Sequence, residues 1–324
     1  MNRRRLGKTG YMVSEIGLGC WQLGGDFGPV GDETASAILD AANRLGVNFW
    51  DTADVYGGGL SESRIGAHSK NPDVLVATKL GRSGTLYPDK YTKAGVRESL
   101  EGSAKRLGVE TLYLAQLHCV PIDVIRDGAI FNWMDDLQQA GLVRFYGASV
   151  ETIEQAMICL AHENVSTLQI IFNIFRQDHA EKLLPIAADK DVGIIVRLPL
   201  ASGLLSGKFG RDTQFSAQDH RNYNRDGQAF SVGETFSGIP FEKGVELVEE
   251  LKGKVPADVP LAQMALRWIL DHPAVSTIIA GVSRPAQLED NVAATRLAPL
   301  PEATMADLAS WYTQRVRPQV RGEI

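Results

Sequence analysis

The stretch Val74-Leu75-Val76-Ala77-Thr78-Lys79, followed by the segment Thr92–Leu107 and then by Leu114-Ala115-Gln116-Leu117-His118, shows the unit from which this chain is built. Its first and last parts are short apolar runs of β-strand character, and the part between them has the spacing of an amphipathic helix. A strand, a helix and a second strand in this order are typical of a parallel sheet.

The same alternation of strand and helix repeats about eight times along the chain. We predict strands at Val13–Gly19, Asn48–Ala53, Asp73–Leu80, Leu112–Cys119, Val143–Ser149, Thr167–Asn173, Gly193–Pro199 and Ser276–Val282. Amphipathic helices are predicted between them, for example at Glu33–Leu45, Thr92–Leu107, Val124–Ala140, Ile153–His162, Ala180–Ala188 and Pro285–Thr295. Glycines stand where helix ends should turn back into strands, a usual position for this residue.

A repeated strand–helix unit forms either an open, doubly wound sheet or a closed barrel. Nucleotide-binding motifs separate the two. Gly17-Leu18-Gly19-Cys20-Trp21-Gln22 begins like a dinucleotide fingerprint but lacks its third glycine, and Gly203 to Lys208 lacks the spacing and hydroxyl of a P-loop. Eight units without these motifs favour an α/β fold of the (β/α)8, or TIM barrel, type. Such barrels often exceed 250 residues, so we expect all 324 residues, 1–324, to form a single domain.

Two segments depart from the regular repeat. Thr9-Gly10 is a turn signal before the first barrel strand and predicts a short N-terminal hairpin. The connection after strand 7, Gly203 to Pro240, is long and polar. Loops of this length in a compact domain are usually functional or disordered. We interpret this one as a mobile lid over the barrel mouth, with a surface insertion as the alternative.

Composition restricts the class of protein. The formal charge of −6 is spread without long blocks of one sign, which argues against nucleic acid or an anionic membrane surface as a partner. Uninterrupted apolar runs long enough to span a bilayer are absent from the sequence. The chain has three cysteines, an odd number without metal-type spacing, which suits a reducing compartment. We expect a cytoplasmic protein.

Ionisable residues follow three successive predicted strands. Asp51 lies near the end of the second strand, Tyr56 follows in a glycine-rich loop, Lys79 ends the third strand and His118 the fourth. Active sites of parallel barrels lie at these strand ends. A phenol is a usable acid whose pKa a neighbouring ammonium lowers, so Lys79 is expected to lower the pKa of Tyr56, with Asp51 holding the lysine.

A neutral His118 would then donate a hydrogen bond to a carbonyl oxygen and orient it. The set lacks a nucleophile–base pair for acyl transfer. It also lacks clustered metal ligands, because His118 and Cys119 are adjacent and should point to opposite faces of a strand. We expect carbonyl chemistry and no metal.

Over nearly its whole length the sequence resembles the aldo-keto reductases. The segments that carry the resemblance are Leu6-Gly7-Lys8-Thr9-Gly10, Val13-Ser14-Glu15-Ile16-Gly17-Leu18-Gly19, Asp51-Thr52-Ala53-Asp54-Val55-Tyr56-Gly57 with Ser61-Glu62, Ala77-Thr78-Lys79 and Gln116-Leu117-His118. The resemblance implies reversible hydride transfer between a nicotinamide cofactor and an aldehyde, ketone or alcohol, with an aldose or another small carbonyl compound among the candidate substrates. The family's catalytic Asp, Tyr, Lys and His fall on Asp51, Tyr56, Lys79 and His118.

The resemblance also assigns cofactor-binding residues to this chain. They are Cys20, Trp21, Asp51, Ser149, Gln169, Arg197, Leu198, Pro199, Leu200, Ala201, Gly203, Lys208, Gly281, Ser283, Arg284, Gln287, Asp290 and Asn291. Two positions depart from the family pattern: Val150 stands where an Asn is usual, and Arg197 where many relatives place a stacking aromatic residue. Cys20 is expected to be a bystander thiol.

We expect NADP as cofactor, with NADPH preferred and NAD possible, because a guanidinium at Arg284 would bind a 2′-phosphate. Strongly NADPH-dependent relatives often have cations where this chain has Gly281 and Gln287, so the bias is expected to be modest. The alternative for Arg284 is a solvated residue before Pro285.

The sequence supports two functional hypotheses from different classes. The first is an NAD(P)H-dependent oxidoreductase. The second is a cofactor-binding regulatory module, since some relatives are ion-channel auxiliary subunits. The complete catalytic group favours the enzyme.

Trp21 and Tyr87 either line the substrate pocket or pack against other residues of the protein. Neither these two residues nor Trp133 and Tyr223 identify one substrate. The oligomeric state is not readable from the sequence.

Overall fold

Eight parallel strands close into a barrel in the computed structural model, which describes residues 1–25, 30–68, 71–256 and 258–324. The barrel strands are β3 (Ile16–Gly19), β4 (Phe49–Asp51), β5 (Leu75–Leu80), β6 (Leu112–His118), β7 (Val143–Ser149), β8 (Val165–Ile171), β9 (Gly193–Arg197) and β10 (Val275–Gly281). They pair in chain order, and β10 closes the barrel against β3. The predicted TIM barrel is therefore confirmed.

A hairpin precedes the barrel, as predicted from Thr9-Gly10. It pairs β1 (Arg3–Arg5) with β2 (Met12–Ser14) in antiparallel fashion, and Gly10 adopts φ 73°, a left-handed conformation that glycine tolerates. Leu6 and Val13 are fully buried in a cluster with barrel residues such as Phe49 and Ile195. The hairpin thus covers the end of the barrel opposite its mouth.

The first predicted strand, Val13–Gly19, is wrong as a single element. Its beginning belongs to the hairpin and its end to β3, with a break at Glu15. The physical reason is side-chain bonding at the break: Glu15 pairs with Arg4 at 2.9 Å, and the backbone N–H of Ser14 donates to Asn48 Oδ1 at 2.7 Å. These contacts turn the chain from the hairpin into the barrel.

Helices surround the barrel. They are α1 (Asp32–Leu45), α2 (Leu60–Ala67), α3 (Lys93–Leu107), α4 (Ile122–Asp127), α5 (Ala129–Gln139), α6 (Ile153–Leu160), α7 (His179–Lys182), α8 (Leu184–Asp189), α9 (His220–Tyr223), α10 (Phe241–Lys252), α11 (Leu261–Leu270), α12 (Pro285–Ala293) and α13 (Glu302–Trp311). The predicted helix Val124–Ala140 is divided at Gly128, which has φ 83°, and Ala180–Ala188 is divided at Leu183. Neither break interrupts the apolar period, so periodicity alone could not reveal it.

The main core lies between strands and helices. Trp50 is 3% exposed within it and donates its indole N–H to Val47 O at 3.0 Å, which agrees with the outward orientation expected from strand alternation. A fully buried side chain of this kind contributes about 1.5–3 kcal/mol. The core fixes the strand ends, and hence the side chains of the mouth, relative to one another.

The segment after β9, residues 203–240, folds onto the barrel mouth. Asn224 organises part of it: its side chain donates to Thr235 and accepts from the backbone N–H groups of Ala229 and Phe230. His220 and Phe236 are fully buried. The segment is therefore packed and is not a loose surface insertion.

Among the described residues, none of the helices is both long and apolar enough to cross a membrane.

Candidate active site

Four polar side chains meet at the mouth of the barrel, three of them because the strands that carry them are neighbours. Asp51 is the last residue of β4, Lys79 lies at the end of β5 and His118 is the last residue of β6. Tyr56 begins a short 3-10 turn after β4, in which Gly57 and Gly58 take left-handed φ angles. The structure thus brings together the four residues that the sequence predicted as catalytic.

A chain of hydrogen bonds joins three of these residues. The Lys79 ammonium donates to Asp51 Oδ1, to the carbonyl oxygen of Thr52 at 2.9 Å and to the phenol oxygen of Tyr56 at 3.1 Å. Lys79 is fully buried and Asp51 is 2% exposed. A buried ion pair needs further partners to be stable, and Asp51 Oδ2 has two: the side-chain amides of Gln116 at 3.0 Å and Gln169 at 2.8 Å.

The protonation of these groups follows from burial and charge. Burial by itself lowers the pKa of Lys79, but the Asp51 carboxylate outweighs it, so the pKa is raised and the lysine stays charged. Burial also raises the pKa of Tyr56 to about 12, and the neighbouring Lys79 offsets only part of this effect. The expected direction of the Lys79 effect is therefore confirmed, but the net pKa of Tyr56 is raised, because desolvation of the phenolate is the larger effect.

His118 is a neutral imidazole. Burial, and then the positive charges of Lys79, Arg82 and Arg197, hold its pKa well below the usual value. Its Nδ1 is buried and has no hydrogen-bond partner among the described residues, and its ring lies 5.8 Å from that of Tyr56 at 86°. A neutral imidazole beside a protonated phenol gives two hydrogen-bond donors for one carbonyl oxygen.

A cavity of about 310 Å³ opens above these residues. Trp21 stacks on Tyr56 in its wall, with ring centres 5.7 Å apart. Predicted cofactor residues that line the cavity are Cys20, Trp21, Asp51, Ser149, Gln169, Arg197, Leu198, Pro199 and Gly281. Val150, which stands in the place of the usual Asn, is 4% exposed. The remaining predicted cofactor residues lie outside the cavity wall.

These remaining residues form two groups. Leu200, Ala201 and Gly203 belong to the turn after β9, with Lys208 exposed beyond it. The others are at α12: Ser283 and Arg284 are exposed at its start, and Gln287, Asp290 and Asn291 lie on the helix. Gln287 Oε1 accepts from the Ser283 N–H at 2.7 Å.

Charged residues that the sequence did not single out also line the cavity. Glu234, from the segment after β9, pairs with Arg197 at 3.2 Å and with Arg82 at 3.7 Å, and Arg82 pairs with Glu151 at 3.0 Å. Arg82 lies two residues after the end of β5, so the rule that strand-end charges belong to the site was sufficient to find it. The position of Glu234 within a long irregular segment offered no such signal.

This charged cluster includes a possible set of metal ligands. Ligand atoms of Cys119, Glu151 and Glu234 lie within 4.8 Å of one another. Both carboxylates are paired with guanidinium groups, and Arg197 approaches Cys119 Sγ at 3.6 Å. Because positive charge is already present, the cluster is better described as an ion-pair network.

Aromatic residues of the mouth fall into two classes. Tyr223 and Phe230 line the cavity. Tyr87 is 41% exposed and lies outside the wall, although its ring is 6.0 Å from the Arg82 guanidinium, and Trp133 packs against the main core. Of the aromatic candidates, Trp21 and Tyr223 therefore line the cavity, whereas Tyr87 and Trp133 do not.

Comparison with known proteins agrees with this geometry. Aldo-keto reductase YhdN of Bacillus subtilis is 31% identical over 298 residues, which cover 89% of this chain and 87% of that protein. A probable voltage-gated potassium channel subunit beta of Oryza sativa is 29% identical over 93% of both chains. The structure of the glycerol dehydrogenase AKR11B4 from Gluconobacter oxydans matches with a TM-score of 0.79 and 27% identity, covering 100% of this chain and 98% of that one.

The profile of the aldo/keto reductase family matches residues 15–313, which include every barrel strand and all four residues of the mouth described above. This chain therefore belongs to the aldo/keto reductase family and is an oxidoreductase enzyme.

Proposed function

We propose that the protein reversibly reduces an aldehyde or ketone to an alcohol, with NADPH or NADH as the hydride donor and Tyr56 as the general acid and base. One observation carries the proposal: the phenol oxygen of Tyr56 lies 3.1 Å from the Lys79 ammonium, in the same cavity as the neutral His118. A proton donor and a second hydrogen-bond donor beside one cavity suit a carbonyl oxygen.

The lining of the cavity also supports the binding of a nicotinamide dinucleotide. It extends from Asp51 and Tyr56 to Gly281, whose strand leads to the N-terminus of α12, a favourable position for phosphate groups. Arg197 Nε is buried without a partner among the described residues, so a polar acceptor is missing there. When bound, the reduced cofactor supplies the hydride.

We assign the binding of the cofactor to three groups of residues. Ser149 and Gln169 would hold the carboxamide of the nicotinamide. Arg197 would lie against its ring, because the ion pair with Glu234 fixes the guanidinium in place and a planar guanidinium can stack. The turn after β9 and the start of α12, including Lys208 and Arg284, would hold the pyrophosphate and the adenosine.

Tyr56 then transfers the proton. In reduction it donates its phenol proton to the carbonyl oxygen as the carbonyl carbon accepts hydride, and Lys79 stabilises the phenolate that remains. Asp51 keeps Lys79 charged and positioned. His118, as a neutral donor, holds the carbonyl oxygen. In oxidation the phenolate accepts the proton of the alcohol.

The second hypothesis, a regulatory module, is supported by the similarity to a probable potassium channel subunit beta. Assays of a panel of aldehydes, sugars and methylglyoxal-like carbonyls, together with glycerol, distinguish the two, with the absorbance of the reduced cofactor as readout. Turnover that is lost in Tyr56→Phe supports the enzyme hypothesis. Cofactor binding without turnover of any compound would favour the regulatory module.

A further inference from the structure

The side chain of Gln22 lies across the end of the last barrel strand, over Gly281. A Cβ atom built on Gly281 would be 2.2 Å from Gln22 Nε2 and 2.4 Å from Gln22 Oε1. Such distances do not occur between real atoms, so Gln22 has this position only because residue 281 has no side chain. Gly19 is the strand partner of Gly281, and a Cβ atom built on Gly19 would lie 3.2 Å from the backbone nitrogen of Gly281.

The amide of Gln22 is also unsatisfied. Gln22 Oε1 is buried and accepts no hydrogen bond from any described residue, and Gln22 lines the same cavity as Tyr56 and Gly281. A buried acceptor without a donor costs free energy, so a side chain held in this way indicates that a ligand supplies the missing donor.

We propose that Gln22 is a cofactor-binding residue whose side-chain oxygen accepts a hydrogen bond from a ribose hydroxyl of the dinucleotide, and that Gly281 is required to admit it. This inference rests on the proposed function. Between its carboxamide and its adenine amine, a nicotinamide dinucleotide offers hydrogen-bond donors only at its ribose hydroxyls, because the pyrophosphate oxygens accept. Gly281 lies between the catalytic group and α12, at the level of this middle part.

Fluorescence titration of the full chain with NADPH tests the proposal, with quenching of tryptophan emission as the readout, since Trp21 lies in the cavity. We expect Gln22→Ala to weaken binding about 3- to 10-fold, as for loss of one hydrogen bond. Gln22→Glu keeps the acceptor oxygen, so its affinity should stay within about 3-fold of the wild type. Strong weakening in Gln22→Glu that depends on salt would indicate a contact with phosphate and overturn the ribose assignment.

Gly281→Ala tests the second part of the proposal. It should weaken binding by displacing Gln22, and the double variant Gln22→Ala, Gly281→Ala should bind as weakly as Gln22→Ala alone, because there is then no side chain left to displace. Losses that multiply in the double variant would show that Gly281 acts independently of Gln22.

Two controls separate the possible failures. Gln314→Ala, an exposed glutamine on the C-terminal segment, should bind NADPH like the wild type. Thermal unfolding of each variant shows whether the fold is intact. Wild-type protein that binds neither NADPH nor NADH would overturn the proposed function, whereas tight wild-type binding with an unchanged Gln22→Ala variant would overturn only this inference.

Discussion

The ammonium of Lys79 lies 3.1 Å from the phenol oxygen of Tyr56, and the same nitrogen donates to the carboxylate of Asp51. Lys79 is thus held between the carboxylate of Asp51 and a phenol that becomes an anion during reduction. Since burial raises the pKa of Tyr56 to about 12, the phenol is a protonated acid at neutral pH, and Lys79 stabilises the phenolate only as it forms.

Replacing Tyr56 with Phe removes the proton donor and leaves the ring stacked on Trp21. We expect the rate of reduction to fall by a factor on the order of 10² or more, while the affinity for the cofactor is retained. Single-turnover reduction of an aldehyde and titration with NADPH measure the two quantities. Turnover near the wild-type level, with chemistry rate-limiting, would remove Tyr56 from its proposed role.

The variant Lys79→Met tests how the phenol titrates. A raised pKa favours the protonated phenol, so alcohol oxidation, which needs the phenolate, should rise with pH in the wild type. Without Lys79 the pKa of Tyr56 is higher still. The rates of alcohol oxidation by the wild type and by Lys79→Met should therefore rise in parallel between about pH 7 and pH 9. The rate of the variant should be lower by a constant factor.

The sequence alone, which indicated a lowered phenol pKa, predicts instead that the oxidation rates of the wild type and of Lys79→Met approach each other at high pH. Narrowing in the measured profiles would show that Tyr56 titrates near neutral pH with cofactor and alcohol bound. Thermal unfolding is the necessary control, because Lys79→Met leaves the carboxylate of Asp51 buried beside an apolar side chain.

His118 should act without changing its charge. Its pKa lies well below the usual value, so the imidazole stays neutral as the pH falls toward 5.5, and the reduction rate should be flat from about pH 5.5 to pH 8. His118→Ala should lower the rate by a factor on the order of 10²–10³. A wild-type profile with an inflection near 6.5 that disappears in His118→Ala would contradict a permanently neutral imidazole.

The ion pairs of Glu234 connect the segment 203–240 to the barrel. Glu234→Gln leaves Arg197 without its counter-charge, and we expect a loss of about 2–3 kcal/mol in the free energy of unfolding, less than for an isolated buried charge because Glu151 remains nearby. Chemical denaturation measures this loss. Glu246→Gln, which breaks surface pairs with Arg211 and Lys243, is the matched control and should leave stability unchanged.

The same variant tests the lid. Hydrogen exchange across residues 203–240 should be slower with cofactor than without it, and faster in Glu234→Gln than in the wild type in the absence of cofactor. Equally slow exchange in the wild type with and without cofactor would show that the segment is a fixed wall of the cavity.

Arg284 should determine the preference for NADPH. It is exposed at the N-terminal cap of α12, and Gln287 is bonded to Ser283, so Arg284 is the cation available for a 2′-phosphate at the start of this helix. Arg284→Ala should weaken NADPH by about 1.5 kcal/mol, the lower end for a charged hydrogen bond because the guanidinium is exposed, and leave NADH nearly unchanged. Equal losses for both cofactors, or tighter wild-type binding of NADH, would refute the assignment.

Several features of the site could be predicted because they depend on neighbours in the sequence. Asp51, Lys79 and His118 end apolar runs, and in a parallel barrel such ends converge. Arg82 also follows a strand and could be predicted by the same reasoning. Glu234 could not be predicted in this way, because it pairs with Arg82 and Arg197 only after the segment that carries it has folded onto the mouth.

The sequence by itself determined the alternation of strand and helix, the closed barrel, the hairpin at Gly10 and the four residues at the mouth, since periodicity and turn residues act locally. Only the tertiary structure decided the net pKa of Tyr56, the pairing of Glu234 and the position of Gln22 over Gly281. Desolvation, charge pairing and close packing sum contributions from residues far apart in the chain, and no local pattern contains that sum.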